Sequence, residues 1–117
     1  MIRKQEDILE LKKKGENRMQ ITETRESDVI TIAIEGRVDT NTSPQVQDAI
    51  LKSFQKVNQV VLDFSECTYV SSAGLRALLI GQKTASSKKG IMKLVHVPEI
   101  LMNVLQMSGF VNILTIE

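Results

Sequence analysis

The sequence predicts an α/β domain: a small mixed β-sheet of about five strands, opening with an antiparallel hairpin and carrying its helices mostly on one face. Three observations lead there. Two strand-like runs follow one another near the N-terminal end, and apolar strand runs then alternate with helical patterns to the C-terminus. That alternation favours parallel pairing through right-handed crossovers. The run Val60-Val61-Leu62 lacks alternation, as expected of a strand covered on both faces. With 117 residues the chain makes one domain, and with three Phe, one Tyr and no Trp its core must be aliphatic.

The elements follow in order. Residues 1–18 are charged and weakly apolar, and read as an N-terminal extension, helical or disordered, with the domain proper spanning 19–117. From Met19 to Thr24 apolar and polar residues alternate, the pattern of a half-exposed strand. Glu26-Ser27-Asp28 makes the turn, and the β-branched run Val29–Glu35 is the second strand. Gly36-Arg37-Val38-Asp39 is expected to leave the sheet. Thr42-Ser43-Pro44 is a helix start, with hydroxyl caps and a proline for the first turn. Val46, Ala49, Ile50, Ser53 and Phe54 follow at helical spacing, with a stop expected at Asn58. Gln59–Asp63 is the next strand, then a loop, then a helix from Ser72 with Leu75, Leu78, Leu79 and Gln82 on one side, broadened by Ala77 and Ile80. That helix runs out at Ser86-Ser87-Lys88-Lys89-Gly90, with basic residues at its negative end. Ile91–Val97 is a strand. Pro98 opens a last helix facing Leu101, Val104 and Leu105 inward and closed by Gly109, and Val111–Ile116 is a final strand.

Composition narrows the function. The formal net charge is +1, with neither the basic excess nor the stacking aromatics of a nucleic-acid binder. Lys12-Lys13-Lys14 sits among Glu6, Asp7, Glu10 and Glu16 and reads as a mixed-charge, solvated run. No apolar stretch approaches the roughly 20 residues of a membrane span, and no signal peptide is visible. The single cysteine, Cys67, forms no intramolecular disulfide and reads as a small buried hydrophobe. A cytoplasmic protein, monomeric or weakly dimeric, is the expectation. One Cys and one His make no metal cluster, and no phosphate-loop spacing is present. Asp39 and Asp63 are two carboxylates without further ligands, and Asp63, ending a strand, is expected to accept loop N–H groups. Neither a metal nor a cofactor is expected.

Chemistry concentrates at Val70-Ser71-Ser72-Ala73-Gly74-Leu75, where a strand passes through a loop into a helix. A nucleophile elbow has this logic, but Val70 stands where that motif has glycine, and the only base would be His96. A phosphoacceptor is a second reading. Phosphate on a serine at a helix N-terminus brings roughly −1.5 to −2 charges, which the helix dipole tolerates and a docked partner need not. A third reading is that both serines only cap the helix and shape the turn.

Leu62-Asp63-Phe64-Ser65 followed by Tyr69-Val70-Ser71-Ser72-Ala73-Gly74-Leu75 resembles the signature of the STAS domain, the family of bacterial anti-sigma factor antagonists. Gly36-Arg37-Val38-Asp39 with Ser43-Pro44, the strand after Gly90, and Met107-Ser108-Gly109-Phe110 resemble the same family, so the likeness spans roughly Met19 to Glu117. The resemblance implies a binding module rather than an enzyme. Its partner would be an anti-sigma factor that is also a serine kinase. A metal-dependent serine phosphatase would reverse the kinase's action. By position the acceptor maps onto Ser72. The family often has Asp before the acceptor where this chain has Ser71, which leaves Ser71 as a competing acceptor. Asp39, Thr40 and Asn41 match the loop beside the acceptor and, with Ser71, Ser72, Ala73, Gly74 and Arg76, are the implied partner contacts. Other members of the family serve as scaffolds or accessory subunits of signalling and lipid-transport complexes, which is the alternative role.

Overall fold

A computed structural model describes residues 19–117 of the chain; the 1–18 extension lies outside the described residues. Five strands form one sheet in the order β1-β2-β3-β4-β5: Gln20–Glu26, Val29–Val38, Gln59–Val70, Ile91–Val95 and Thr115–Ile116. β1 and β2 make the expected antiparallel hairpin, turning at Ser27-Asp28, and β2 through β5 are parallel. Helices α1 (Ser43–Phe54), α2 (Ser72–Ser87) and α3 (Glu99–Ser108) fill the three crossovers. Crossovers that step the same way with one hand place their helices on one face. Ile30, Ile32 and Ile34, Val60, Leu62 and Phe64, and Met92 and Leu94 are the buried side of the strands. Val61 between them is only half-buried, so the unbroken apolar run did not mean a strand covered equally on both faces.

Two strands run further than their sequence suggested. β2 continues through Gly36-Arg37-Val38, and β3 continues from Asp63 to Val70. The reason is in the register. Ala33 faces Asp63 but Glu35 faces Glu66, and Gly36 faces Cys67 but Arg37 faces Tyr69, so β3 inserts one extra residue at each of two bulges. The bulges change the period of burial: Phe64, Cys67 and Val70 point inward at every third residue, and simple alternation is lost. Gly36 takes φ 98° within this stretch, a conformation that suits glycine.

The helices also correct the sequence reading. α1 ends at Phe54, short of Asn58, and the Lys88 ammonium donates to the carbonyls of Phe54 and Val57. α2 buries only part of its leucine stripe. Gly74, Ala77, Leu78, Gly81 and Ala85 are buried, while Leu75, Leu79 and Ile80 are half-buried. Small residues let α2 lie close against its neighbours: a Cβ on Gly81 would fall 2.9 Å from Ile50 Cγ2 and 2.8 Å from Met92 Sδ. In α3, Leu101 and Leu105 face in as expected, but Val104 is exposed, and Ile100 and Met107 stand 76% and 88% exposed. Gly109 ends α3 with φ 81°, and the segment after it is a 3-10 turn, Phe110–Asn112, that shortens the last strand to Thr115–Ile116.

At its N-terminal end α2 rests directly on the strand ends. A Cβ on Gly74 would meet Val70 Cγ1 at 2.7 Å, Val38 Cγ1 at 2.9 Å and the Val38 carbonyl oxygen at 3.2 Å. Gly74→Ala is therefore expected to lower stability by about 1–3 kcal/mol through overpacking, read as a lower urea midpoint at unchanged m-value.

Candidate functional site

The site begins where β2 and β3 end side by side. Val38 pairs with Val70, and the Ser71 N–H donates to the Val38 carbonyl at 2.8 Å. The next residues, Asp39 on one strand and Ser71 on the other, open two adjacent loops. Ser71 is extended (φ −83°, ψ 177°) and is the N-cap of α2, its hydroxyl accepting from the Gly74 N–H at 3.3 Å. Ser72 is the first helical residue and is exposed; no hydrogen bond ties its hydroxyl among the described residues. The two serines thus divide the roles that the sequence left open between them: Ser71 caps, and Ser72 presents a hydroxyl to solvent. Ala73 is half-buried and Gly74 is buried beneath them. Arg76 is exposed one helical turn after Ser72.

The neighbouring loop is held from within. Asp39 Oδ1 accepts from the N–H of Asn41 at 2.9 Å and of Thr42 at 3.1 Å, and lies 3.1 Å from the Thr42 hydroxyl. Thr42 Oγ1 accepts from the Asp39 N–H at 2.8 Å and lies 2.8 Å from the Arg37 carbonyl. Thr42 occupies the N-cap position of α1, yet its side chain bonds no helix N–H, contrary to the capping role its sequence suggested. Partial desolvation pushes the Asp39 carboxyl up, but the Thr42 and Asn41 N–H groups, the Thr42 hydroxyl and the Arg37 charge outweigh it and hold its pKa below the ordinary value. Thr40 and Asn41 are exposed at the tip.

His96 does not belong to this edge. Its Nδ1 lies 3.0 Å from Asp63 Oδ1, which also accepts the Ser65 N–H at 2.9 Å. Asp63 thus accepts one backbone N–H, but from Ser65 within β3 rather than from a loop, because the strand does not end at Asp63. β4 stops at Val95, opposite Asp63, while β3 goes on to Val70; along the unbulged β2 that pairs with it this stretch runs from Ala33 to Val38, so roughly 16 Å of strand separates His96 from the serines. The hydrolase reading loses its base. The Asp63 carboxyl is raised by desolvation but lowered further by the Ser65 N–H and by His96, for a net shift downward. Burial pushes the Cys67 thiol up, in keeping with a packed hydrophobe rather than a nucleophile.

Two features escaped the sequence reading. The Arg37 guanidinium stacks 4.2 Å from the centroid of the Tyr69 ring. Beyond Tyr69, a largely apolar cleft of about 350 Å³ lies between the end of β3 and α3, lined by Cys67, Thr68, Tyr69 and Val70 and by Pro98, Ile100, Leu101 and Val104. No local motif announces either, because both need β3 to extend past Asp63. Among the described residues no cluster of three potential metal ligands forms, and no helix is long and apolar enough to cross a membrane.

The fold and this edge define a small α/β module whose most distinctive exposed chemistry is a serine at a strand-to-helix junction. The family model described as "Mlab, STAS domain" matches residues 21–115. The chain belongs to the STAS domain family. It is 27% identical over 96 residues, 81% of this chain and 83% of the relative, to BtrV of Bordetella bronchiseptica, a protein assigned as an anti-sigma factor antagonist. Its fold is similar to that of an anti-sigma factor antagonist from Mycobacterium paratuberculosis, with TM-score 0.76, 17% identity and 86% of each chain covered. It is also similar to phosphorylated SpoIIAA, a cell fate determinant of Bacillus, with TM-score 0.66, 19% identity, and 86% of this chain and 91% of that one covered.

Two outcomes test the site's construction. Ser71→Ala is expected to cost about 1 kcal/mol by removing the cap, while Ser72→Ala leaves stability within about 0.5 kcal/mol, both by chemical denaturation. Acid should also loosen the fold in a defined direction. Asp39 and Asp63 have folded pKa values below the reference value of 3.8, so their contribution is complete above that pH and is lost as pH falls through the folded values. Asp63→Asn is expected to flatten the acid limb of a stability–pH profile below about pH 4.

Proposed function

We propose that the protein is an anti-sigma factor antagonist: it binds an anti-sigma factor that is also a serine kinase, and phosphorylation of Ser72 switches the binding off. A metal-dependent serine phosphatase restores the free form, and the exchange takes place in the cytoplasm. One observation carries the assignment of the acceptor. In a STAS domain whose relatives include anti-sigma factor antagonists, the hydroxyl of Ser72 is exposed and free at the first position of α2, whereas that of Ser71 is engaged in capping. A kinase can approach Ser72 without dismantling the helix start, and phosphorylating Ser71 would sacrifice the cap. Thr40, Asn41, Ser72 and Arg76 are exposed around the same edge and form the docking surface, with Asp39, Ser71, Ala73 and Gly74 shaping it.

The chain itself supplies no catalysis in this scheme. The partner brings the nucleotide and the base, and the chain offers a hydroxyl and a surface. Phosphate added at Ser72 places a dianion where the partner's surface would close, and electrostatic repulsion and desolvation weaken the complex.

The test uses the anti-sigma factor kinases encoded in the same genome. Incubation with ATP is expected to place a single phosphate on Ser72, mapped by mass spectrometry, and Ser72→Asp is expected to weaken binding by tenfold or more while Ser72→Ala binds as the wild type does. A phosphate confined to Ser71 would overturn the assignment of the acceptor. A stable complex indifferent to both Ser72 substitutions would favour a scaffold or accessory-subunit role.

A further inference from the structure

We infer that Asp39 sets partner affinity without touching the partner, by fixing the loop that presents Thr40 and Asn41 beside Ser72. The inference rests on the docking surface proposed above and assigns Asp39 a role different from that of a contact residue.

The Asp39 carboxylate is turned into its own loop. One of its oxygens takes the N–H groups of Asn41 and Thr42 and lies within hydrogen-bond reach of the Thr42 hydroxyl. The main chain closes the same ring: the Asp39 carbonyl accepts from Thr42 at 3.2 Å and from Ser43 at 2.8 Å, and the Asp39 N–H donates to Thr42 Oγ1. Thr42 Oγ1 ties the ring to the Arg37 carbonyl. Asp39 is half-buried under these bonds, while Thr40 and Asn41 are exposed and, among the described residues, their side chains make no hydrogen bond. The exposed polar side chains at the tip are those of Thr40 and Asn41, and the group that holds them in place is Asp39, through its Oδ1.

The placement of the loop gives that order a use. Asp39 follows Val38 and Ser71 follows Val70, and the two valines are register partners, so the pinned loop and the serine loop leave the sheet side by side. A partner that reads Ser72 lies against Thr40 and Asn41 as well. A loop already fixed in the free protein spares the ordering entropy that a mobile one would lose on binding. Removing the pin should therefore weaken binding although no contact is removed.

The measurement is a double-mutant cycle by titration calorimetry, using the purified anti-sigma factor kinases of the same genome and the unphosphorylated protein. Asp39→Ala and Thr42→Val are each expected to lower affinity about tenfold, the scale of ordering one or two loop residues. Asp39→Asn, which keeps an acceptor oxygen for both N–H groups, is expected to recover most of the loss. In a Thr40→Ala/Asn41→Ala background, Asp39→Ala is expected to add less than about twofold, because it acts through those residues. Losses that simply add would make Asp39 a direct contact and overturn the inference. Amide hydrogen exchange of the free protein gives an arm that needs no partner: Asn41 and Thr42 should exchange faster in Asp39→Ala but not in Asp39→Asn. Unchanged exchange would also overturn the inference. A wild-type protein that binds none of these kinases would instead sink the proposed partner while leaving the exchange arm decisive for the pin.

Discussion

The serine edge exists because the backbone of Gly74 lies directly against Val38 and Val70. An added Cβ would come within 2.7 Å of one valine side chain and 2.9 Å of the other. The first turn of α2 therefore sits on the strand ends with no side chain between. That closeness lets the Ser71 N–H reach the Val38 carbonyl and the Ser71 hydroxyl reach the Gly74 N–H. Both bonds fix where the chain turns from β3 into α2, and so fix Ser72 on the outside of the turn. The same contact ties the end of β2 to the helix, which brings the Asp39 loop alongside. Gly74 takes no positive φ at this junction; the glycine is needed for space, not for backbone freedom.

The architecture was legible in the sequence wherever local periodicity survives folding. Ile30, Ile32 and Ile34 alternate in the chain and alternate in burial, and Val46, Ala49 and Ile50 keep their helical spacing. Legibility failed where tertiary geometry changes the period. The two bulges of β3 bury Phe64, Cys67 and Val70 three apart, so a strand read by alternation stops at Asp63. In α2, hydrophobicity points to Leu75, Leu78 and Leu79, yet of these only Leu78 is buried, and close helix packing fills the rest of the inside with Gly74, Ala77, Gly81 and Ala85. A scale that ranks glycine and alanine as weakly apolar does not see that their merit here is small volume.

For the site, the residue types were legible and their division of labour was not. Ser71 and Ser72 are the same residue side by side. Only the extended backbone of Ser71, with its hydroxyl directed back at Gly74, separates a cap from a free hydroxyl. Asp39 likewise reads as a partner contact of the loop, whereas one of its carboxylate oxygens is taken by the N–H groups of Asn41 and Thr42. His96 and the serines both follow parallel strands, and a flat-ended sheet would have brought them together. The extra length of β3 beyond β4 keeps them apart, and that length is invisible without the bulges.

The position of Ser72 also bears on how the proposed switch would act. At the first turn of α2 the unpaired backbone N–H groups and the helix dipole favour an anion, by about 0.3–1 kcal/mol at an exposed site. A phosphate there opposes no packed apolar contact, since Ser72 is exposed and the buried stripe begins at Gly74. The fold would keep its shape, and the signal would lie in surface charge rather than in rearrangement. A small domain with a single aliphatic core is suited to such a mechanism, because native stability is only on the order of 5–15 kcal/mol. A conformational switch would have to balance two packings of that core within a few kcal/mol, whereas a charge added to a tolerant helix end leaves the core as it is.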